Sequence, residues 1–198
     1  MNKIFYLLKI RLIGIEPEIS RRFVVPDNIT LDRLHDVIQI VMGWHDYHLY
    51  EFVINNKRYT EDPEMEEQGE ECAKFRLMDL IKQNGRTFNY LYDFGDNWMH
   101  EIIIEESHYS NLESQSHIEC IEGARACPPE DVGGVSGYDE FCSALNDSNH
   151  EEHNSNKEWF ANFPWYERVF DSEKIDIAKV NYELMKYLRW SRNRYLSV

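Results

Sequence analysis

The sequence predicts an α+β protein, a mixed, mostly antiparallel sheet with helices packed on it. Three observations lead there. Residues 3–13 alternate, with Ile4, Tyr6, Leu8, Ile10 and Leu12 on one face and Lys9 and Arg11 on the other, the period of a half-buried strand. Leu31, Leu34, Ile38 and Val41 repeat at the spacing of one helical face. Residues 87–92 and 98–105 read as two more strands, joined by the turn-rich run Asp93-Phe94-Gly95-Asp96-Asn97.

The elements follow in order. Gly14 to Pro17 turns the chain, and residues 21–25 return as a second strand, making a hairpin. Thr30 is placed to cap a helix that Gly43 ends near Met42. A strand is expected over 48–54. Asn55-Asn56 then tolerates the positive φ of a tight turn into 57–60. Seven acids among residues 61–71 read as a solvated loop. Residues 75–84 carry a short strand and helical turn, and 107–116 crosses the surface. Residues 123–137, with Pro128, Pro129, Gly133 and Gly134, read as a long loop before a helix over 138–145. One helical turn is expected at 157–160. A last helix, capped by Ser172, presents Ile177, Val180, Leu184 and Leu188. The whole chain, 1–198, reads as one domain. Its parts are a hairpin–helix–strand first half (about 1–60), the acidic loop (61–71), the second hairpin (87–105) and C-terminal helices (about 137–190).

Composition narrows the function classes. The chain of 198 residues has a net charge of −15, which opposes binding to a nucleic-acid backbone. A protein partner is therefore favoured. The basic, aromatic tail with Lys186, Arg189, Trp190, Arg192, Arg194 and Tyr195 is the one nucleic-acid candidate, and the dipole of a helix C-terminus accounts for its cations equally well. No apolar run is long enough to span a membrane and the N-terminus lacks signal-peptide pattern, so a cytoplasmic protein is expected. Reduced thiols follow for Cys72, Cys120, Cys127 and Cys142.

Two strings concentrate chemistry. In 93–100, Asp93, Asp96, Trp98 and His100 stand close together, and the two carboxylates suit a hard cation or a positioned water. In 127–138, Pro128-Pro129 sets an extended entry, Glu130 and Asp131 lie at the centre, and Gly133, Gly134 and Tyr138 follow. The structural alternatives are an ordinary hairpin capped by Asp93 and a cover whose acids pair with Arg125. A divalent metal is the one cofactor these residues suggest, with His48, Asp96, His100, Cys120 and Cys127 as candidate ligands. His150-Glu151-Glu152-His153 is one residue short of the zinc-protease spacing. Phosphate-loop and nucleophile-elbow motifs are absent. The 93–100 and 130–134 segments are expected to meet at one end of the sheet, with an Arg (Arg125 or Arg86) or a cation between their acids.

The order of elements up to residue 60 resembles the β-grasp (ubiquitin-like) arrangement. Over nearly the whole chain the sequence resembles the plasmid pRiA4b ORF-3-like family. The matching strings are Pro17-Glu18-Ile19-Ser20-Arg21-Arg22, Leu34-His35 with Ile38-Gln39, and Gly43-Trp44 with His48-Leu49. Tyr92-Asp93-Phe94-Gly95-Asp96 with Trp98 and His100, and Cys127-Pro128-Pro129-Glu130-Asp131 with Gly133-Gly134, Gly137-Tyr138, Phe170-Asp171 and Asn181 continue the set. Ser20 stands where that family usually has an aromatic. The resemblance implies an α+β domain, no known reaction, and an association with mobile genetic elements. Two functions are thus expected to compete. One is a non-enzymatic binding or regulatory module. The other is a metal-dependent, hydrolase-like enzyme built on the 93–100 hairpin and the 130–134 loop, with His48 as a third contributor.

Overall fold

The structure is a computed structural model that describes residues 4–63, 69–81, 85–110, 118–164 and 169–194, with side chains of the last helix described to residue 187. Eight strands form one sheet: β1 (Phe5–Leu12), β2 (Ser20–Pro26), β3 (Tyr50–Ile54), β4 (Lys57–Thr60), β5 (Glu70–Glu71), β6 (Thr87–Tyr92), β7 (Trp98–Glu106) and β8 (Glu119–Ala124). Their spatial order is β5-β4-β3-β6-β7-β1-β2-β8. All pairs are antiparallel except β4 with β5. The helices are α1 (Leu31–Met42), α2 (Leu77–Leu80), α3 (Gly134–Asn146), α4 (His153–Ala161) and α5 (Ile177–Arg194), with a 3₁₀ turn at Cys72–Lys74.

The alternation in β1 has the expected consequence. Tyr6, Leu8, Ile10 and Leu12 enter the core with Leu31, Leu34, Val37, Ile38 and Val41 of α1. The opposite face of the sheet carries cross-strand ion pairs: Arg11 with Glu101, and Arg22 with both Glu105 and Glu122. Arg11 and Glu101 are register partners, as are Arg22 and Glu122, so the pairs lie directly across the ladder. Helix α1 ends where expected, because Gly43 takes a left-handed conformation and its N–H closes on Gln39 O.

A buried polar relay ties α1 to the sheet. His35 stacks on Tyr50 at 3.5 Å between ring centroids. Its Nδ1 lies 2.8 Å from Tyr90 Oη and its Nε2 2.8 Å from Asp46 Oδ1. Gln39 Nε2 donates to the same Tyr90 hydroxyl.

Several elements depart from the sequence reading, each for a local reason. The hairpin–helix–strand order is present, but β6 and β7 lie between the first hairpin and β3. Strand β3 starts at Tyr50 rather than 48, because residues 43–49 serve as a loop pinned to α1 through Asp46 N and Gln39 Oε1. Part of the acidic segment pairs: Glu70 and Glu71 add to β4 beside Tyr59 and Thr60. The rest of it, 64–68, lies outside the described residues, as do 82–84 and 111–117 of the segments expected over 75–84 and 107–116. Strand β8 was not expected. Helix α3 begins at Gly134, since Gly137 fits a turn in which a Cβ would collide with Val132 O. Helix α4 extends the expected single turn to His153–Ala161. Helix α5 is capped by Asp176, whose Oδ1 accepts Lys179 N–H, and not by Ser172. The side chains of Leu188 and of the basic tail beyond it lie outside the described residues.

All four cysteines are free thiols. No helix among the described residues is long and apolar enough to cross a membrane.

Candidate metal centre

Three loops converge at one end of the sheet, where β6 ends, β7 begins and β3 begins. The register Tyr50↔Tyr92↔Trp98 aligns those ends. The first loop runs from α1 to β3. Trp44 N–H follows Gly43 onto Gln39 O, and Asp46 takes positive φ to face His35. The second is the β6–β7 turn. Asp93 and Asn97 both adopt left-handed backbone, Asn97 N–H donates to Asp93 O, and Gly95 N–H donates to Asp93 Oδ1. This leaves Asp93 Oδ2 for other work. The third loop precedes α3 and is stapled to the other two. Trp44 Nε1 donates to Pro128 O, and Gly133 N–H donates to Asp96 Oδ2 at 3.0 Å. The backbone approach is close: a Cβ on Gly134 would stand 2.6 Å from Asp96 O.

His48 sits at the centre. Its Nε2 lies 3.2 Å from Asp131 Oδ1, 3.6 Å from Asp93 Oδ2 and 3.9 Å from Glu130 Oε2. That nitrogen is buried and makes no hydrogen bond among the described residues. One ligand atom each from His48, Asp93 and Asp131 fits within 4.8 Å of the others. Asp93 is buried and Asp131 largely exposed, so the group opens to solvent on one side. Glu130 backs the cluster. It is 1% exposed, accepts His45 N–H at 2.8 Å, and accepts the Tyr92 hydroxyl at 3.0 Å. Burial raises the Glu130 carboxyl pKa, against the lowering effect of those hydrogen bonds and of His48. Burial and the Glu130 charge together hold the Tyr92 hydroxyl protonated, so it acts as a donor.

The arrangement differs from the sequence expectation in its centre. The two acidic segments do meet, through Asp96 and Gly133. Neither Arg125 nor Arg86 stands between their acids. Arg125 binds Pro17 O and Glu173, and Arg86 binds Glu105 O. His48 takes that place. Asp96 is a clip for the Gly133 amide rather than a member of the cluster.

Trp98 and His100 face inward and are fully buried. His100 Nδ1 donates to Tyr90 O at 3.3 Å, its ring packs edge-on to Trp44, and it meets no carboxylate among the described residues. Burial depresses its pKa to about 3. Tyr138 is buried with its ring edge-on to Phe170. Cys120 lies on β8 with its Sγ toward Glu122 O, and burial raises both its pKa, to about 11, and that of Cys127. Neither thiol belongs to the ligand cluster. Sequence reasoning missed Tyr92 and gave His48 a secondary place. The available signal was the string Trp44-His45-Asp46-Tyr47-His48, five chemically rich residues between a helix-ending glycine and a strand.

Chemically, the cluster offers one imidazole nitrogen and two carboxylate oxygens, with a third carboxylate behind. Such a mixed set suits Fe²⁺ or Zn²⁺ through its imidazole, and Mn²⁺ through its carboxylates. Three protein ligands leave coordination positions for water or substrate.

Known proteins share this architecture. Residues 4–179 match the family model described as plasmid pRiA4b ORF-3-like protein. The chain is 42% identical over 176 residues to "Uncharacterized protein y4hQ" of Sinorhizobium fredii, covering 88% of this chain and 87% of that protein. The crystal structure of the protein of unknown function MM3350 from Methanosarcina mazei Go1 superposes with a TM-score of 0.78 at 34% identity, covering 90% of this chain and 98% of that one. With matching motifs running from the first strand into the last helix, the chain belongs to the plasmid pRiA4b ORF-3-like family.

Proposed function

We propose that the protein binds one divalent transition-metal ion through His48, Asp93 and Asp131, and that the bound ion serves metal-assisted hydrolysis. The observation that carries this reading is the buried, unbonded His48 Nε2 facing three carboxylates. Acids gathered this closely repel unless a proton or a cation offsets them. A single imidazolium supplies one positive charge against as many as three negative ones. A divalent ion balances the set better.

The Tyr92–Glu130 pair supports the chemical part of the proposal. When bound, the ion would supply a polarised water, and Glu130, held by the His45 amide and the Tyr92 hydroxyl, is the carboxylate that would take up a proton beside it. Asp131, on the exposed side, leaves room for a substrate to approach.

The binding-module reading has its own support. Tyr47, Leu49 and Phe94 are exposed around the same loops, a rim of apolar groups suited to a protein or organic partner. A regulatory partner linked to mobile genetic elements belongs with this second reading.

One experiment separates them. Purified protein is loaded with Mn²⁺ or Zn²⁺ and assayed on bis(p-nitrophenyl) phosphate and p-nitrophenyl acetate. Metal-dependent turnover that is lost in Asp131→Asn, with the fold retained, supports hydrolysis. Tight metal binding with no turnover on either class of ester favours the binding module.

A further inference from the structure

A second feature lies beside the metal cluster, across the backbone of Trp44-His45 and Pro129. A cavity of about 530 Å³ opens between the end of α1, the start of α5 and the segment around Phe170. That size falls within the range of small-molecule sites. Its walls include Val41, Trp44, Phe160, Phe170, Ile175 and Val180. Arg21 of β2 lines it and is 2% exposed.

Arg21 is unusual in its partners. Its Nε donates to Val41 O at 2.8 Å, and its Nη1 donates to Ser20 O at 2.7 Å and to Ala124 O at 2.9 Å. These three carbonyls use the hydrogens of Nε and Nη1. Among the described residues Nη2 has no hydrogen-bond partner, and the titratable groups around the guanidinium are Cys120, Cys127 and Tyr138 rather than a carboxylate. A charge buried to this degree is ordinarily paired.

The surroundings fix the group in place. Gly123 leaves room for its stem, since a Cβ there would come within 3.0 Å of Arg21 Cδ. The charged residues at the mouth are of mixed sign: Asp171, Lys174, Asp176 and Lys179 are exposed, and the half-buried Glu183 is paired with Lys186. Asp171 and Asp176 each already accept a backbone N–H, from Glu173 and Lys179. Solvent screens these mouth charges far more than it screens the buried guanidinium.

We infer that this cavity binds a small organic anion, a carboxylate on an apolar or aromatic body, with the carboxylate on Arg21 and the body against Trp44, Phe160 and Phe170. A preorganised guanidinium with one nitrogen left over suits a single-point, charge-assisted hydrogen bond rather than a bidentate fork. The site is independent of the metal cluster and calls for no metal.

The test uses 4-phenylbutyrate and its neutral analogue 4-phenylbutanol, titrated calorimetrically into the metal-free full chain. The expected result is one-to-one binding of the acid, with the alcohol weaker by about tenfold or more. A second arm fills the cavity with Val180→Trp, which leaves Arg21 and its carbonyls intact. The variant should keep its far-UV circular dichroism and lose the acid. Equal affinity for acid and alcohol overturns the inference. So does the absence of saturable binding, or unchanged binding by folded Val180→Trp.

Discussion

His48 and His100 lie on neighbouring segments, yet their surroundings set them to opposite tasks. His48 Nε2 points at carboxylates that open to water, whereas His100 is sealed among Trp44, Tyr90 and Trp98. Burial lowers the His100 pKa to about 3, against about 6.5 for an unperturbed imidazole. The sign follows from linkage. Below pH 6.5 the unfolded chain binds a proton that the folded chain refuses, so His100's stabilising contribution is present above 6.5 and lost as pH falls toward 3. By pH 5 the loss amounts to about 2 kcal/mol. Urea unfolding at pH 7 and pH 5 checks this: His100→Gln should lose less stability over that interval than the wild type. An identical loss in both would show that His100 does not carry the acid sensitivity. Strand alternation puts Trp98 and His100 on one face, but alternation alone does not say which face is buried. That depended on Trp44, from a loop distant in sequence, covering them.

At the scale of elements, the chain was most legible where periodicity and punctuation agree. Helix α1 has both an apolar stripe and Gly43, and its bounds follow. Leu34, fully buried at its centre, tests that packing. Leu34→Asp should cost about 3–5 kcal/mol, seen as a large drop in melting temperature, because a buried unpaired charge has no compensating contact. A melt like the wild type's would contradict the placement of α1.

Helix α3 was less legible. Its first turn is Gly134-Val135-Ser136-Gly137, and glycines there read as loop although the fold uses them for close approach. Strand β8 escaped because Glu119 to Ala124 is short, its alternation is interrupted by Gly123, and its pairing with β2 shifts register between Arg22 and Phe23. Gly134 and Gly43 separate two effects that sequence cannot. Both have positive φ, but a Cβ meets Asp96 O at Gly134 and nothing within 4 Å at Gly43. Gly43→Ala should cost about 1–2 kcal/mol from backbone strain alone. Gly134→Ala should cost more and should also weaken metal binding, by pushing the 130–133 loop from the β6–β7 turn. Melting temperatures and a metal titration on both variants check this, and equal effects at the two positions would contradict it.

For the whole molecule, the sheet order explains why the site was only partly readable. Strands β6 and β7 insert between two hairpins formed earlier in the chain, so Tyr92 and Asp93 arrive beside His48 through long-range register. The string containing Asp93 and the string containing Asp131 each signalled chemistry. Their common partner, His48, lay on a third loop with no local motif of its own. The free state of Cys72, Cys120, Cys127 and Cys142 sets a further check on the assembled chain: titration under denaturing, non-reducing conditions should count four thiols. A count of two would mean a disulfide that the fold does not contain.

The central claim is the cation site, and Mn²⁺ titration of the full chain tests it most directly. Calorimetry on the wild type should give one Mn²⁺ per chain. Asp93→Asn keeps a side-chain oxygen for the Gly95 amide while removing a charged ligand, so it should fold normally and bind Mn²⁺ at least about tenfold more weakly. Absence of saturable binding in the wild type, or unchanged affinity in folded Asp93→Asn, would contradict the account.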